Sequence, residues 1–279
     1  MPSSPASPLR APLAMLLMLL CGSCTTEEPS STRLLDDDPD TAALRQSLAA
    51  ALSDGQLLLP YRDLWEVLIE GAALYWPGSG FALETPVQLF YTRRIAQAGD
   101  WARGDRIDDP DGWQREHLWP VSYGLEGSLT EFDLHNVVPA DASVNRARSN
   151  RYFDIAPARH EECGGCGAGS DTWEPPPEVQ GDVARVMFYM DLRYNGNRPL
   201  GEREPELSLS DRPDPLVGEF GRLSALQGWH RLDPISEEEV QRHEAVASHQ
   251  GNRNLLVDSP VLMESAYGFS CATRVPSGR

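Results

Sequence analysis

Apolar residues recur at helical spacing along several stretches of the chain. From Thr41 to Ser53, Leu44, Leu48 and Leu52 fall at i, i+4 and i+8 after an acidic start. Tyr61 to Ala73 places Leu64, Trp65 and Leu68 on one side. The longest stripe runs from Val179 to Tyr194 through Val183, Val186, Met187 and Met190, and Asn195-Gly196 closes it. Leu216, Phe220, Leu223 and Leu226 predict another helix. Ser236 and Glu239 form a capping-box pattern ahead of Val240 to Gln250, where Gly251 stops the helix. Pro86 to Thr92 reads as a strand. These stripes are core positions. No internal repeat or second-domain boundary is visible.

The middle of the chain has a different pattern. Leu118 to Val121 and Phe132 to Val138 are apolar-rich and are separated by Ser122 to Glu131, which contains two glycines, so two strands and a loop are expected. Pro139 then suits the first position of a helix, with Asp141 in its acidic first turn. Asp141, Asn145 and Arg148 fall at i, i+4 and i+7 and would share one helix face. Neighbours on a regular strand point to opposite faces, so Glu116 and His117 can serve one site only where the chain turns. The expected fold is α+β: a compact strand-strand-helix unit embedded in a mainly helical single domain.

That unit carries the chemistry. Glu116 and Asn145 offer the oxygen donors a hard divalent cation prefers. A neutral imidazole at His117 can take a proton from water near pH 7. Arginines on the same helix can hold phosphate by paired hydrogen bonds. Together these are the requirements of phosphodiester hydrolysis. Neither Glu116 nor Asn145 lies in an apolar stripe, so neither is expected to matter for folding.

The remaining histidines and cysteines are weaker candidates. His135 fits a structural role beside Asp133. His230, His243 and His249 fit surface or helix-face positions. His160, Cys163 and Cys166 could hold zinc, although no fourth ligand is evident and a disulfide is the better reading in an exported chain. Cys271 leaves the cysteine pairing undetermined. Gly201 to Pro215, rich in Pro, Glu and Asp, reads as a solvated loop.

Export follows from the N-terminus. Arg10, the apolar run Leu13 to Leu20 and Cys21-Gly22-Ser23-Cys24 form a signal over residues 1–23. Cys24 resembles the lipidated residue of a bacterial lipoprotein. Residues 24–40 then form an acidic tether that reads as disordered, with six acids against one arginine from Thr25 to Asp40. Residues 41–279 form the folded domain.

The chain has 279 residues, a formal net charge of −18 and no lysine. Loss of Arg10 with the signal makes it one unit more acidic. Such a balance makes a poor generic nucleic-acid binder, because repulsion from phosphates works against association. Val144 to Arg151 is the local exception, with three arginines and no acid.

Five motifs in order resemble the bacterial endonuclease I family, whose members are periplasmic and secreted nucleases with a ββα-metal (His-Me finger) site. They are Glu116-His117-Leu118-Trp119-Pro120, Asp133-Leu134-His135-Asn136-Val137-Val138-Pro139-Ala140, Val144-Asn145 through Arg148-Ser149-Asn150, Gly181-Asp182-Val183-Ala184-Arg185 with Tyr189-Met190, and Gln250-Gly251-Asn252-Arg253-Asn254. The resemblance implies His117 as general base, with Glu116 and Asn145 as ligands of one Mg²⁺-like ion that Mn²⁺ or Ca²⁺ could replace. It also implies hydrolysis of DNA, with RNA as a second candidate, and little sequence preference.

The chain departs from the family in two places. The inter-strand loop has no arginine, which leaves Arg148 to meet the transition state, ahead of Arg146 or Arg115, with pairing to Asp141 as its structural alternative. No proline follows Asn254. Arg146 and Arg151 are expected to contact flanking nucleic acid. The expected partners are nucleic acid and, through Cys24, a membrane, with no obligate protein partner. The rival readings are a catalytically silent envelope lipoprotein that keeps the fold for binding, and a zinc hydrolase on the Cys163/Cys166 loop.

Overall fold

In a computed structural model of the chain, the described residues are 39–57, 59–60, 63–74, 82–101, 109, 111–195, 205–214, 216 and 218–267. The signal, Cys24, nearly all of the tether and Cys271 lie outside them. None of the described helices is long and apolar enough to cross a membrane.

The described chain runs α1 (Pro39–Ser53), α2 (Leu64–Ala72), β1 (Pro86–Gln88), β2 (Ile95–Gln97), β3 (Trp113–His117), β4 (Val137–Asp141) and α3 (Ala142–Arg148). Then follow β5 (Tyr152–Phe153), β6 (Ala158–Arg159), β7 (Gly167–Ala168), β8 (Thr172–Glu174) and α4 (Gln180–Tyr194). The last part contains β9 (Ser208–Leu209), β10 (Glu219–Phe220), α5 (Leu223–Leu232), α6 (Glu237–Gln250), α7 (Leu255–Asp258) and α8 (Val261–Ala266). The strands form small sheets and the helices dominate, so the class is α+β.

Helix α4 is the central element, buried at every residue from Gly181 to Tyr194 and packed against α1 and α5. Its apolar stripe alone could not allow this. The polar residues on its other faces are paired: Arg185 with Glu239 at 2.6 Å, Arg242 with Asp182 at 3.1 Å, and Arg45 with Asp191 at 2.9 Å. Buried charges persist when they are paired and hydrogen-bonded. The α6 cap is half a capping box. Ser236 Oγ accepts from Glu239 N as expected, but the Glu239 carboxylate turns inward to Arg185. Gly251 ends α6 with φ 89°, a left-handed conformation that suits glycine.

β3 and β4 pair antiparallel from Trp113↔Asp141 to His117↔Val137, and α3 follows and packs on both. The strand-strand-helix unit is therefore present, with shifted boundaries. The first strand is Trp113–His117, not Leu118–Val121. The apolar Leu118 and Trp119 are buried in a bend, where Asn136 grips the backbone of Trp119 at 2.7 and 3.0 Å. Phe132 to Asn136 is not strand, because Asp133 caps a short 3₁₀ turn by accepting from His135 N.

Pro139 lies inside β4 and not at a helix start. β4 pairs on one side only, so a missing N–H costs little there. Asp141 ends β4 and binds Arg94 and Thr92 instead of Arg148.

Three other expectations change. Phe220 belongs to β10, and the helix begins at Leu223. The Gly201–Pro215 segment is not simply a solvated loop: Leu207 is buried, and Ser208–Leu209 pairs parallel with β10. His230 and His243 are buried, because α5 and α6 turn those faces toward α4 and the C-terminal segment.

Candidate active site

Residue types explain how the corner at the end of β3 is built. The strand stops at His117, and the bend at Leu118-Trp119 turns the chain away, so Glu116 and His117 line one cleft despite their opposite alternation. Asn145, Arg148, Ser149 and Asn150 from α3 and its end close the other wall, around a space of about 390 Å³. Ser149 has φ 54°, which reverses the backbone directly after the helix.

Glu116 is 3% exposed, and only one of its oxygens is hydrogen-bonded among the described residues. Oε1 accepts from Tyr91 Oη at 2.9 Å and faces Arg148 at 3.0 Å. Burial pushes this carboxyl upward, and Arg148 and Tyr91 pull it back. Oε2 is left for a ligand. Asn145 Nδ2 donates to the Arg115 carbonyl at 3.2 Å, which leaves Oδ1 as the free end of the amide. Two uncommitted hard oxygens beside one cleft fit a Mg²⁺-type ion.

His117 Nε2 lies 2.9 Å from the Glu131 carbonyl. A carbonyl only accepts, so Nε2 carries the proton and Nδ1 presents its lone pair. Burial lowers the imidazole pKa and the Arg115 and Arg148 charges lower it further, against the opposing pull of the Glu131 carbonyl. The ring is neutral near pH 7, as a base requires.

Arg148 does not pair with Asp141 and does not stand in the open. At 1% exposure its guanidinium donates to the carbonyls of His117 and Leu118 and faces Glu116, over the ring of Phe153 at 4.6 Å. It is placed to brace the corner. Glu116 is correspondingly part of the interior, contrary to the expectation that folding would ignore it. Arg146 is exposed on α3. Arg151 is tied to the carbonyls of Gly169 and Ala147. Tyr91 was missed; a lone tyrosine in an apolar run carries no sequence signal for this contact.

Cys163 and Cys166 are joined as a disulfide, which removes the thiolates a zinc site needs. His160 meets Trp173 edge to face at 5.2 Å, and its Nδ1 accepts from Cys163 N. His243, Glu244 and Asp258 approach one another, but Arg253 already sits among the carboxylates, with contacts of 2.6 Å to Glu244 and 2.7 Å to Asp258.

The profile of the endonuclease I family matches residues 43–261, and the chain belongs to that family. Among its relatives, the extracellular ribonuclease of Bacillus amyloliquefaciens is 34% identical over 222 residues, 78% of this chain and 71% of the relative. The extracellular ribonuclease of Bacillus subtilis is 32% identical over 227 residues, 78% and 72% of the two chains. The periplasmic deoxyribonuclease of Aeromonas hydrophila is 24% identical over 151 residues, 52% and 55% of the two chains.

Proposed function

We propose that this chain is an exported, Mg²⁺-dependent endonuclease with a ββα-metal core that hydrolyses phosphodiester bonds in RNA and DNA with little sequence preference. The observation that carries the reading is the corner itself. His117 is held through Nε2 with Nδ1 left as acceptor, beside the uncommitted oxygens of Glu116 and Asn145. RNA is placed first because the relatives aligned over more than 70% of their length are named ribonucleases. DNA follows from relatives named deoxyribonucleases.

His117 Nδ1 takes the proton of an attacking water, and the imidazolium so formed keeps its Nε2–H on the Glu131 carbonyl. Bound at Glu116 Oε2 and Asn145 Oδ1, a divalent ion would supply charge stabilisation to the phosphate and leaving oxygen. Arg148 and Tyr91 hold Glu116 in the orientation that turns Oε2 toward the cleft. Arg146 on the exposed side of α3, with Arg151 behind it, is assigned to the flanking nucleic-acid backbone. The assignment of export, and of a membrane anchor through lipidated Cys24, rests on the N-terminal sequence.

The test is cleavage of single-stranded RNA and of supercoiled plasmid by the purified protein, with Mg²⁺ and with EDTA. Cleavage that stops on chelation and returns with Mg²⁺ is expected. Cleavage indifferent to EDTA would reject the metal assignment, and a catalytically silent envelope protein would cut neither substrate.

A further inference from the structure

The lining of the cleft is not of one kind. Its ionisable groups and the Asn145 amide come from β3 and α3, but the rest is Pro120, Val121, Ser122, Ser149 and Asn150, which carry no charge. A rim without cations adds nothing to the electrostatic hold on a phosphate, so it suits a neutral part of the substrate.

Two segments meet in that rim. After the Leu118-Trp119 bend the chain brings Ser122 to the cleft, and beyond α3 the reversal at Ser149, with φ 54°, brings Asn150 to it. Asn150 Nδ2 donates to Ser122 Oγ at 3.3 Å, a long bond between two exposed side chains 28 residues apart. It uses one amide N–H and one hydroxyl lone pair. Among the described residues, neither Asn150 Oδ1 nor the Ser122 O–H has a protein partner. A serine hydroxyl rotates to suit its neighbour, so the pair offers one guest both an acceptor and a donor.

A sugar hydroxyl is both donor and acceptor, and the 2′-hydroxyl is the group by which a protein tells RNA from DNA. The same pair set against base edges would select particular bases, because each edge presents its own pattern. Every ribonucleotide carries the same 2′-hydroxyl, which agrees with cleavage of little sequence preference.

We propose that Ser122 and Asn150 form a ribose subsite beside Glu116 and Asn145. Asn150 Oδ1 accepts from the 2′-hydroxyl of the nucleotide at the scissile phosphate, and Ser122 Oγ donates to its oxygen. The subsite rests on the nuclease reading and deepens it, making these two side chains the determinants of preference between RNA and DNA.

Cleavage of one single-stranded sequence made as RNA, as 2′-fluoro RNA and as DNA tests it, with the full-length protein and Mg²⁺. The readout is kcat/KM for RNA divided by kcat/KM for DNA, because general damage to the cleft cancels in that ratio. Asn150→Ala and Ser122→Ala should each lower the ratio by about five-fold, the loss of one neutral hydrogen bond. Ser122→Thr keeps a hydroxyl and should keep the ratio. Asn150→Ala should cost less on 2′-fluoro RNA than on RNA, since the fluorinated sugar has no proton to donate.

An unchanged ratio in both alanine variants overturns the proposal. So does an Asn150→Ala loss of equal size on all three substrates, which would make the pair a purely structural part of the rim. Both side chains are exposed, so both variants are expected to fold. Should Asn150→Ala not fold, Ser122→Ala against Ser122→Thr decides, and equal ratios in those two overturn the subsite. If wild type cuts RNA alone, 2′-fluoro RNA takes the place of DNA in the ratio. A wild type that cuts none of the substrates overturns the nuclease reading and the subsite with it. A wild type that cuts DNA alone, or cuts both with ratios untouched by the substitutions, sinks the subsite alone.

Discussion

Two carboxylate–histidine pairs lie close in the chain, Glu116-His117 and Asp133-Leu134-His135, with Glu116, Asp133 and His135 buried and His117 half-buried. They differ in what remains unbonded. Asp133 Oδ2 accepts from Tyr189, Tyr194 and Gln56 at 2.8, 2.7 and 2.9 Å, and Oδ1 from Gln250 and the His135 backbone at 2.8 and 3.0 Å. His135 lies tilted against Tyr189, and its Nε2 is 3.3 Å from the Asn252 carbonyl.

The Asp133 carboxylate is saturated. It joins the turn before β4 to α4 and to the segment after α6. Glu116, with one oxygen in use, and His117, with one nitrogen in use, keep acceptors facing a cleft. Burial lowers the histidine pKa in both pairs; an open carboxylate oxygen marks only one.

Mutation should separate the pairs, and the largest effect is expected at His117. His117→Ala should lower the cleavage rate by about 10²–10⁴-fold with little change in melting temperature. A residual rate above a third of wild type would move the base elsewhere. Glu116→Ala should destabilise the fold by about 3–5 kcal/mol in urea unfolding, because it leaves Arg148 buried without its carboxylate. Glu116→Gln should spare most of that stability but raise the Mg²⁺ needed for half-maximal activity. A stable, fully active Glu116→Ala would show that the corner needs neither brace nor ligand.

The Asp133–His135 pair should respond to acid. Burial, with the nearby His243 and Arg242 charges, lowers the His135 pKa to about 4, although Asp133 and the Asn252 carbonyl oppose it. The unfolded state therefore binds the extra proton between pH 6.5 and 4. The stability contribution is complete above pH 6.5 and falls by up to about 3 kcal/mol as pH drops through that window. His135→Gln should reduce the slope of melting temperature against pH there. A residue of slope is expected from His230, also lowered to about 4 by burial. An unaltered slope in the variant would reject the assignment.

Tyr91→Phe is expected to have a smaller effect. A hydrogen bond to a charged group is worth about 2 kcal/mol, so the loss should appear as a higher Mg²⁺ concentration for half-maximal activity and a modest drop in melting temperature. Identical Mg²⁺ titrations for Tyr91→Phe and wild type would remove Tyr91 from the brace. The smallest effect belongs to Arg146→Ala, a few-fold weaker RNA binding with a flatter salt dependence and an unchanged rate at saturation. A changed saturated rate would place Arg146 nearer the reacting phosphate.

Local chemistry made several features legible. The α4 stripe, the Ser236 cap, the Gly251 stop and the order of the five motifs needed only periodicity, capping and residue type, and α1, α2, α4 and α6 stand within a few residues of expectation. The strand boundaries around the site did not follow from local signals. Leu118-Trp119 and Phe132 look like strand because they are apolar, yet their burial comes from a bend pinned by Asn136 and a turn capped by Asp133.

The sequence by itself determined the family, the α+β class, the longer helices and the donors available for a site, since each depends on side-chain type and short-range spacing. Tertiary structure decided which donors are left open. Whether Arg148 meets Glu116 or Asp141, whether Arg115 lies over Trp65, and which nitrogen of His117 keeps its lone pair all depend on contacts between residues 14 to 50 positions apart. Hydrogen bonds and ion pairs act over a few ångströms, so a partner is set by where the backbone brings two groups together and not by how far apart they stand in the chain.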